Sequence, residues 1–176
     1  MFINPVCADA ALANVQICHP KYLTVREILA IIDHPSFKEY LDEPILSIQK
    51  NENGYLVVTA SHEMQVDVKH LPPLTPMIGG NPRFELFFHD PIITDYTNQT
   101  LLPKYQAAEE IHAILKDQRL FEKLGNEIVQ EVRKCDGGYV IVTRSFEFQV
   151  DVNYIGESAQ FDLVFHDPAY SPNIVS

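Results

Sequence analysis

Two stretches of the chain, GYLVVTASHEMQVDV at 54–68 and GYVIVTRSFEFQVDV at 138–152, decide how the molecule is organised. They are identical at ten of fifteen positions, far more than chance produces. Further along, FELFFHDP at 84–91 matches FDLVFHDP at 161–168 at six of eight positions. Self-similarity that recurs in the same order predicts a tandem duplication of one module of about 80 residues.

The repeat sets the expected domain boundaries. A three-stranded unit of this size is marginal alone, so we expect the two repeats to form one fused body. The expected parts are an N-terminal extension over 1–21, a first repeat over 22–96, a linker over 97–103, a second repeat over 104–170 and a C-terminal tail over 171–176.

Each repeat opens with a pattern typical of two helices, and EILAI in the first copy matches EIHAI in the second. Thr24 followed by Glu27 has the form of a capping box, which predicts a helix start. Pro35 then suits the first position of a second, short helix. The second copy repeats this pattern with a helix over 108–115 and another that ends at Gly125.

Three strands are expected after the helices. The apolar run ILSIQ at 45–49, a turn and the block at 54–68 predict a hairpin. Apolar and polar residues alternate through the whole block, so one long strand is the simplest interpretation. A tight turn near Ala60 and Ser61 would instead divide it into two strands. A final strand is expected over 84–89.

The order of helix, helix, strand, strand, strand predicts an α+β fold in which an antiparallel meander is covered on one face by helices. Two such units related by a pseudo-twofold axis would form either one continuous sheet or two packed layers. The sequence leaves both arrangements open.

The composition of the chain restricts the kinds of partner and the cellular compartment that we expect. The chain has 24 acidic and 13 basic side chains, for a net charge of -11. This charge repels phosphate backbones and anionic lipid, so neither nucleic-acid binding nor membrane binding is expected. No apolar run reaches the roughly 18 residues of a membrane span. The three cysteines have no disulfide or zinc spacing, which favours a reducing cytoplasm. We expect no cofactor.

Polar residues on alternate strand positions are the candidate metal ligands. A register that places Glu63 opposite His89 and Asp67 opposite Glu85 would gather an imidazole and carboxylates on one face of the sheet. The same shift in the second copy pairs Glu147 with His166 and Asp151 with Asp162, although registers that differ by two residues stay open. Such a group would hold a divalent metal or raise the pKa of a general base. The alternatives are a solvated sheet face and a partner-binding face.

Apolar residues near this face point to a partner or ligand surface. Phe87 lies among the polar positions, which keeps partner binding open. The connection over 70–82 is longer in the first copy than its counterpart over 153–160, so its Met77 and Ile78 are candidates to line a pocket or contact a partner.

The function predicted from these patterns is non-enzymatic binding of a protein or small ligand on the duplicated scaffold, with a homodimer as one possible state. The sequence lacks phosphate-binding loops, HExxH and CxxC motifs and a nucleophile elbow. The alternative is a metal-dependent enzyme, a hydrolase, that uses His89 or His166 with neighbouring carboxylates.

Overall fold

A computed structural model describes residues 22–39, 43–72, 83–94 and 107–170. The first half contains helices α1 (Leu23–Asp33) and α2 (Pro35–Lys38) and strands β1 (Ile45–Lys50), β2 (Gly54–Thr59), β3 (His62–Leu71), β4 (Arg83–Phe88) and β5 (Ile92–Ile93). The second half contains helices α3 (Ala107–Lys116) and α4 (Gln118–Leu124) and strands β6 (Glu131–Cys135), β7 (Gly138–Val142), β8 (Phe146–Tyr154), β9 (Phe161–Phe165) and β10 (Ala169–Tyr170). The expected extension over 1–21, linker over 97–103 and tail over 171–176 lie outside the described residues.

All the described strands belong to one antiparallel sheet. Together with the four helices of the described ranges, this sheet confirms the predicted α+β fold class. From one end to the other the order is β4, β3, β2, β1, β6, β7, β8, with β5 beside β3 and both β9 and β10 beside β8. The halves meet where β1 pairs with β6, with Ile48 opposite Val132. Of the two arrangements that the sequence left open, the continuous sheet is the one found.

The predicted proline at the start of α2 and the predicted glycine at the end of α4 are both confirmed. The predicted side-chain cap at the start of α1 is not. Pro35 opens α2, and the imidazole of His34 accepts a hydrogen bond from the Ser36 amide. Gly125 ends α4 with a φ of 57°. The capping box at Thr24 is wrong: α1 has no side-chain cap, and the Thr24 hydroxyl is buried without a hydrogen-bond partner.

The single long strand over 54–68 is also wrong, because the chain reverses between Thr59 and His62. The Thr59 hydroxyl oxygen accepts a hydrogen bond from the His62 amide. Glu43 lies before β1, and its carboxylate accepts hydrogen bonds from the hydroxyls of Thr59 and Ser61, both at 2.7 Å. A carboxylate distant in sequence therefore stabilises a turn that contains neither glycine nor proline.

The second half contains the equivalent turn between Thr143 and Phe146. Thr143 accepts from the Phe146 amide, and Ser145 donates to Glu127 at 2.9 Å. Phe146 occupies the position of His62. The carboxylate and hydroxyl contacts are therefore present at the turn in both halves, whereas an imidazole is present only in the first half. The shared groups form the turn in both places.

Alternate strand residues are buried together with helix residues in one core cluster. The registers place Tyr55 opposite Val66 and Val57 opposite Met64, and all four side chains are buried. We call this side of the sheet the core face.

The glycine at the start of β7 yields a testable prediction. A Cβ on Gly138 would contact the carbonyl oxygen of Val150 and lie 2.9 Å from the Asp151 Cα, so the two backbones could not approach as they do. Gly138→Ala is expected to lower the free energy of unfolding by about 2 kcal/mol or more.

Urea denaturation measures this loss, and Gly156→Ala is the matched control. Gly156 has a φ of 61° and nothing within 4 Å of an added Cβ, so alanine there strains the backbone without a steric clash. It should cost about 1 kcal/mol. An equal cost for the two variants would mean that the close approach of β7 and β8 is not a tight constraint.

Candidate functional site

The side of the sheet opposite the core face carries the residues singled out from the sequence. We call it the outer face, and the strand registers define its members. They are Ser47 and Gln49 on β1, Leu56 and Val58 on β2, Glu63, Gln65, Asp67 and Lys69 on β3, Glu85 and Phe87 on β4, Glu131 and Arg133 on β6, Val140 and Val142 on β7, Glu147, Gln149, Asp151 and Asn153 on β8, and Asp162 and Val164 on β9.

The predicted register between β3 and β4 is wrong by two residues. Asp67 lies opposite Phe87, whereas the prediction paired Asp67 with Glu85 and Glu63 with His89. A shift by two residues keeps every side chain on its face, so alternation alone does not determine the register. The structure places Glu85 opposite Lys69, and Glu63 opposite Ile92 of β5.

The second half shows the same displacement. Asp151 lies opposite Val164, whereas the prediction paired Asp151 with Asp162 and Glu147 with His166. The structure places Asp162 opposite Asn153, and Glu147 opposite Val142 of β7 and Ala169 of β10.

The actual register produces a Gln–Asp–His group in the first half. His89 follows β4, and its Nε2 lies 2.7 Å from Oδ2 of Asp67. Gln65 donates from Nε2 to Oδ1 of the same carboxylate at 3.0 Å. The Asn51 side-chain amide donates to the side-chain oxygen Oε1 of Gln65 at 2.7 Å. His89 remains 55% exposed, so the group lies at the surface.

An equivalent group is found in the second half. His166 Nε2 lies 2.6 Å from Oδ2 of Asp151, and Gln149 donates to Oδ1 at 2.6 Å. Cys135 occupies the position of Asn51, and burial raises the pKa of its thiol. The two glutamines were missed in the sequence, although both stand in the identical QVDV segments of the repeat.

Hydrogen bonding lowers the pKa of both aspartates. The bond from His89 and then the bond from Gln65 stabilise the ionised carboxylate of Asp67, which holds its pKa below the usual value. His166 and Gln149 act in the same way on the pKa of Asp151. Each aspartate is therefore a carboxylate that accepts bonds on both oxygens, with an exposed imidazole beside it.

The metal-binding prediction requires more ligands than these groups provide. Within residues 22–39, 43–72, 83–94 and 107–170, no three His, Cys, Asp or Glu side chains lie close enough together to hold a metal ion. Each group pairs one imidazole with one carboxylate, and its glutamine directs an amide N–H toward that carboxylate. Phe87 is 49% exposed on the outer face, whereas Met77 and Ile78 lie outside the described residues.

A buried carboxylate on the core side was also missed. Glu27 is 1% exposed; it accepts a hydrogen bond from the Tyr55 hydroxyl at 2.6 Å and lies 2.6 Å from Nε2 of His70. Burial and the neighbouring Glu27 raise the pKa of Tyr55. The matching EI pairs at 27–28 and 110–111 could have marked this position, since Glu110 occupies the equivalent place.

In the second half, Glu110 is 1% exposed and accepts hydrogen bonds from Tyr139 at 3.1 Å and Tyr154 at 3.2 Å. Tyr154 thus replaces His70 as the second partner. The glutamate and the first tyrosine are common to both halves, so this contact joins helix to sheet in each.

Comparison of the chain with protein-family models, with curated proteins and with solved structures finds no match. None of the helices in the described ranges combines the length and apolar character that crossing a bilayer requires. The outer face and its two Gln–Asp–His groups are the structural basis for the functional argument below.

The Asp–His bonds predict a change in carboxylate titration. The folded-state pKa of Asp67 is lowered, so its bond to His89 stabilises the native protein above the unfolded pKa, about 3.9, and is lost as pH falls through the folded pKa. His89→Ala is expected to raise the pKa of Asp67, as measured by carbon-detected NMR titration of the side-chain carboxyl.

Asp117 serves as the internal control, because its lowered pKa depends on hydrogen bonds from Arg119. Its titration should be the same in the variant and the native protein. If Asp67 also titrates unchanged in the variant, the bond to His89 contributes nothing to the ionised carboxylate in solution.

Proposed function

We propose that this chain is a non-enzymatic binding protein whose outer face binds a cationic protein partner. The observation that carries the proposal is the charge of that face. In the part of the sheet that the structure describes, seven carboxylates stand against two basic side chains, Lys69 and Arg133. The carboxylates belong to Glu63, Asp67, Glu85, Glu131, Glu147, Asp151 and Asp162.

The distribution of apolar side chains on this face also supports binding. Four aliphatic residues on β2 and β7 lie between the two Gln–Asp–His groups and are only partly buried; they are Leu56, Val58, Val140 and Val142. Phe87 and Val164, at the ends of the face, are 49% and 43% exposed. The hydrocarbon parts of lysine and arginine side chains can cover such surface while their charges reach the carboxylates.

The spacing of the groups indicates the shape of the partner. Asp67 lies on β3 and Asp151 on β8, with β2, β1, β6 and β7 between them. Five strand spacings at about 4.8 Å separate β3 from β8 by about 24 Å across the sheet. The registers place the two groups level with opposite ends of β1, so they are also displaced along the strands. We infer a partner segment that crosses the strands, because only an extended or two-site ligand would reach both groups.

The scaffold for this face is, in our proposal, a tandem duplication whose helices cover the core face. The repeated order of elements, the shared carboxylate contacts at both β-turns and the Glu27–Tyr55 and Glu110–Tyr139 bonds support this origin. We place the binding in the cytosol, where thiols such as that of Cys135 stay reduced.

A lysine- and arginine-rich peptide is the probe for this proposal, with affinity measured by isothermal titration calorimetry. The double variant Glu63→Gln and Glu147→Gln removes one charge from each half of the outer face at equivalent positions. It should bind the peptide about fivefold more weakly, because each screened pair contributes about 0.2–1 kcal/mol.

The matched control removes two charges elsewhere. Glu39, directly after α2, and Glu109 on α3 are exposed, so Glu39→Gln with Glu109→Gln removes the same number of negative charges and leaves the outer face intact. This control should retain the native affinity. Equal weakening in both variants would show that the peptide responds only to net charge, and the outer face would lose its assigned role.

A further inference from the structure

The two ends of the sheet differ in a way that bears on self-association. Among the described strands, β4 forms one end and β9 the other. The His-Asp-Pro segment after each of them interrupts the edge before the short strands β5 and β10. Such breaks are a common protection against strand addition at an edge. At each end the regular strand that precedes the break has no described strand on its outer side.

The backbone of β4 has a defined orientation at this edge. The His89 amide donates to the Gln65 carbonyl at 3.0 Å, so the backbone groups of His89 face β3. Backbone groups alternate between the two sides of a strand. The amides and carbonyls of Phe84, Leu86 and Phe88 therefore point away from the sheet.

The opposite end carries a side-chain contact that no described residue makes at the equivalent position of β4. The His166 amide donates to the Gln149 carbonyl, so the backbone groups of His166 face β8. Because backbone groups alternate, the carbonyl of Leu163 points outward from β9. The Arg119 guanidinium donates to that carbonyl at 3.0 Å. In the first half the position of Arg119 is occupied by Ser36, whose side chain is far shorter.

We propose that two copies of this chain form a homodimer by antiparallel pairing of β4 with β4. In the register that we infer, Leu86 faces Leu86 of the other copy and Phe84 faces Phe88. On the outer face, Glu85 faces Phe87. Each of these pairs joins side chains on the same face, as antiparallel pairing requires.

The symmetric register centred on Glu85 is disfavoured. Moving the pairing by one residue along each strand places Glu85 opposite Glu85, and like charges directly opposite are destabilising. The Leu86-centred arrangement uses the outward groups and opposes no like charges among residues 84–88.

The dimer has a structural consequence for the outer face. Pairing at β4 continues the sheet from one copy into the other, so the two outer faces adjoin along the dimer axis. The inference rests on backbone orientation and side-chain register, and it holds whether or not the outer face binds a cationic partner.

The test is the molar mass of the intact chain, measured by size-exclusion chromatography with light scattering from micromolar to millimolar concentration. The native protein should form dimers as concentration rises. Phe87→Glu should yield monomers, because it places Glu85 opposite a second carboxylate twice in each dimer. Phe87 is 49% exposed, so the substitution leaves the core intact. It also places a carboxylate opposite Asp67 of the same chain, and Val164→Glu matches this change because Val164 lies opposite Asp151.

Two further variants make the result specific. Val164→Glu introduces the same charge at the equivalent position of β9, where it should leave the dimer unchanged. Phe87→Lys should keep the dimer, since a lysine then faces Glu85 of the other copy and also lies opposite Asp67 of its own chain. The proposal is overturned by a native protein that is monomeric throughout, by a dimer that survives Phe87→Glu, or by one that Val164→Glu disrupts.

Discussion

The pairing of β1 with β6 is the contact on which the rest of the structure depends. Ile48 lies opposite Val132 and Gln49 opposite Glu131, and the Lys50 amide adds a bond to the Gln130 carbonyl at 2.8 Å. A sheet of three or four short strands is marginal in water, whereas the joined sheet shares one buried cluster. The same junction makes the outer face continuous and places β4 and β9 at opposite ends.

Buried glutamates connect the helices to this sheet in both halves. Glu27 and Glu110 each accept a hydrogen bond from a tyrosine of the sheet, Tyr55 or Tyr139. A buried carboxylate is costly unless it is hydrogen-bonded, so these contacts constrain where each first helix lies. His70 provides the second contact to Glu27, whereas Tyr154 does so for Glu110, and this is one place where the halves differ.

Local sequence patterns predicted the helices, the first hairpin and the final strand, because each depends on residues adjacent in the chain. The turn after Thr59 was not the preferred interpretation, since it depends on Glu43, which lies 16 residues away. The register of β4 could not be fixed either, because a two-residue shift preserves the faces. As a result the sequence identified His89 and Asp67 as neighbours of carboxylates but not as partners of each other.

Amide chemical-shift mapping is the most direct test of whether the outer face binds a cationic partner. Isotope-labelled protein would be titrated with the lysine- and arginine-rich peptide. Binding at the outer face predicts shifts concentrated on β3 and β8, at Gln65, Asp67, Gln149 and Asp151, with the helices unaffected. Shifts confined to α1–α4, or scattered over the chain without preference for these strands, would contradict it.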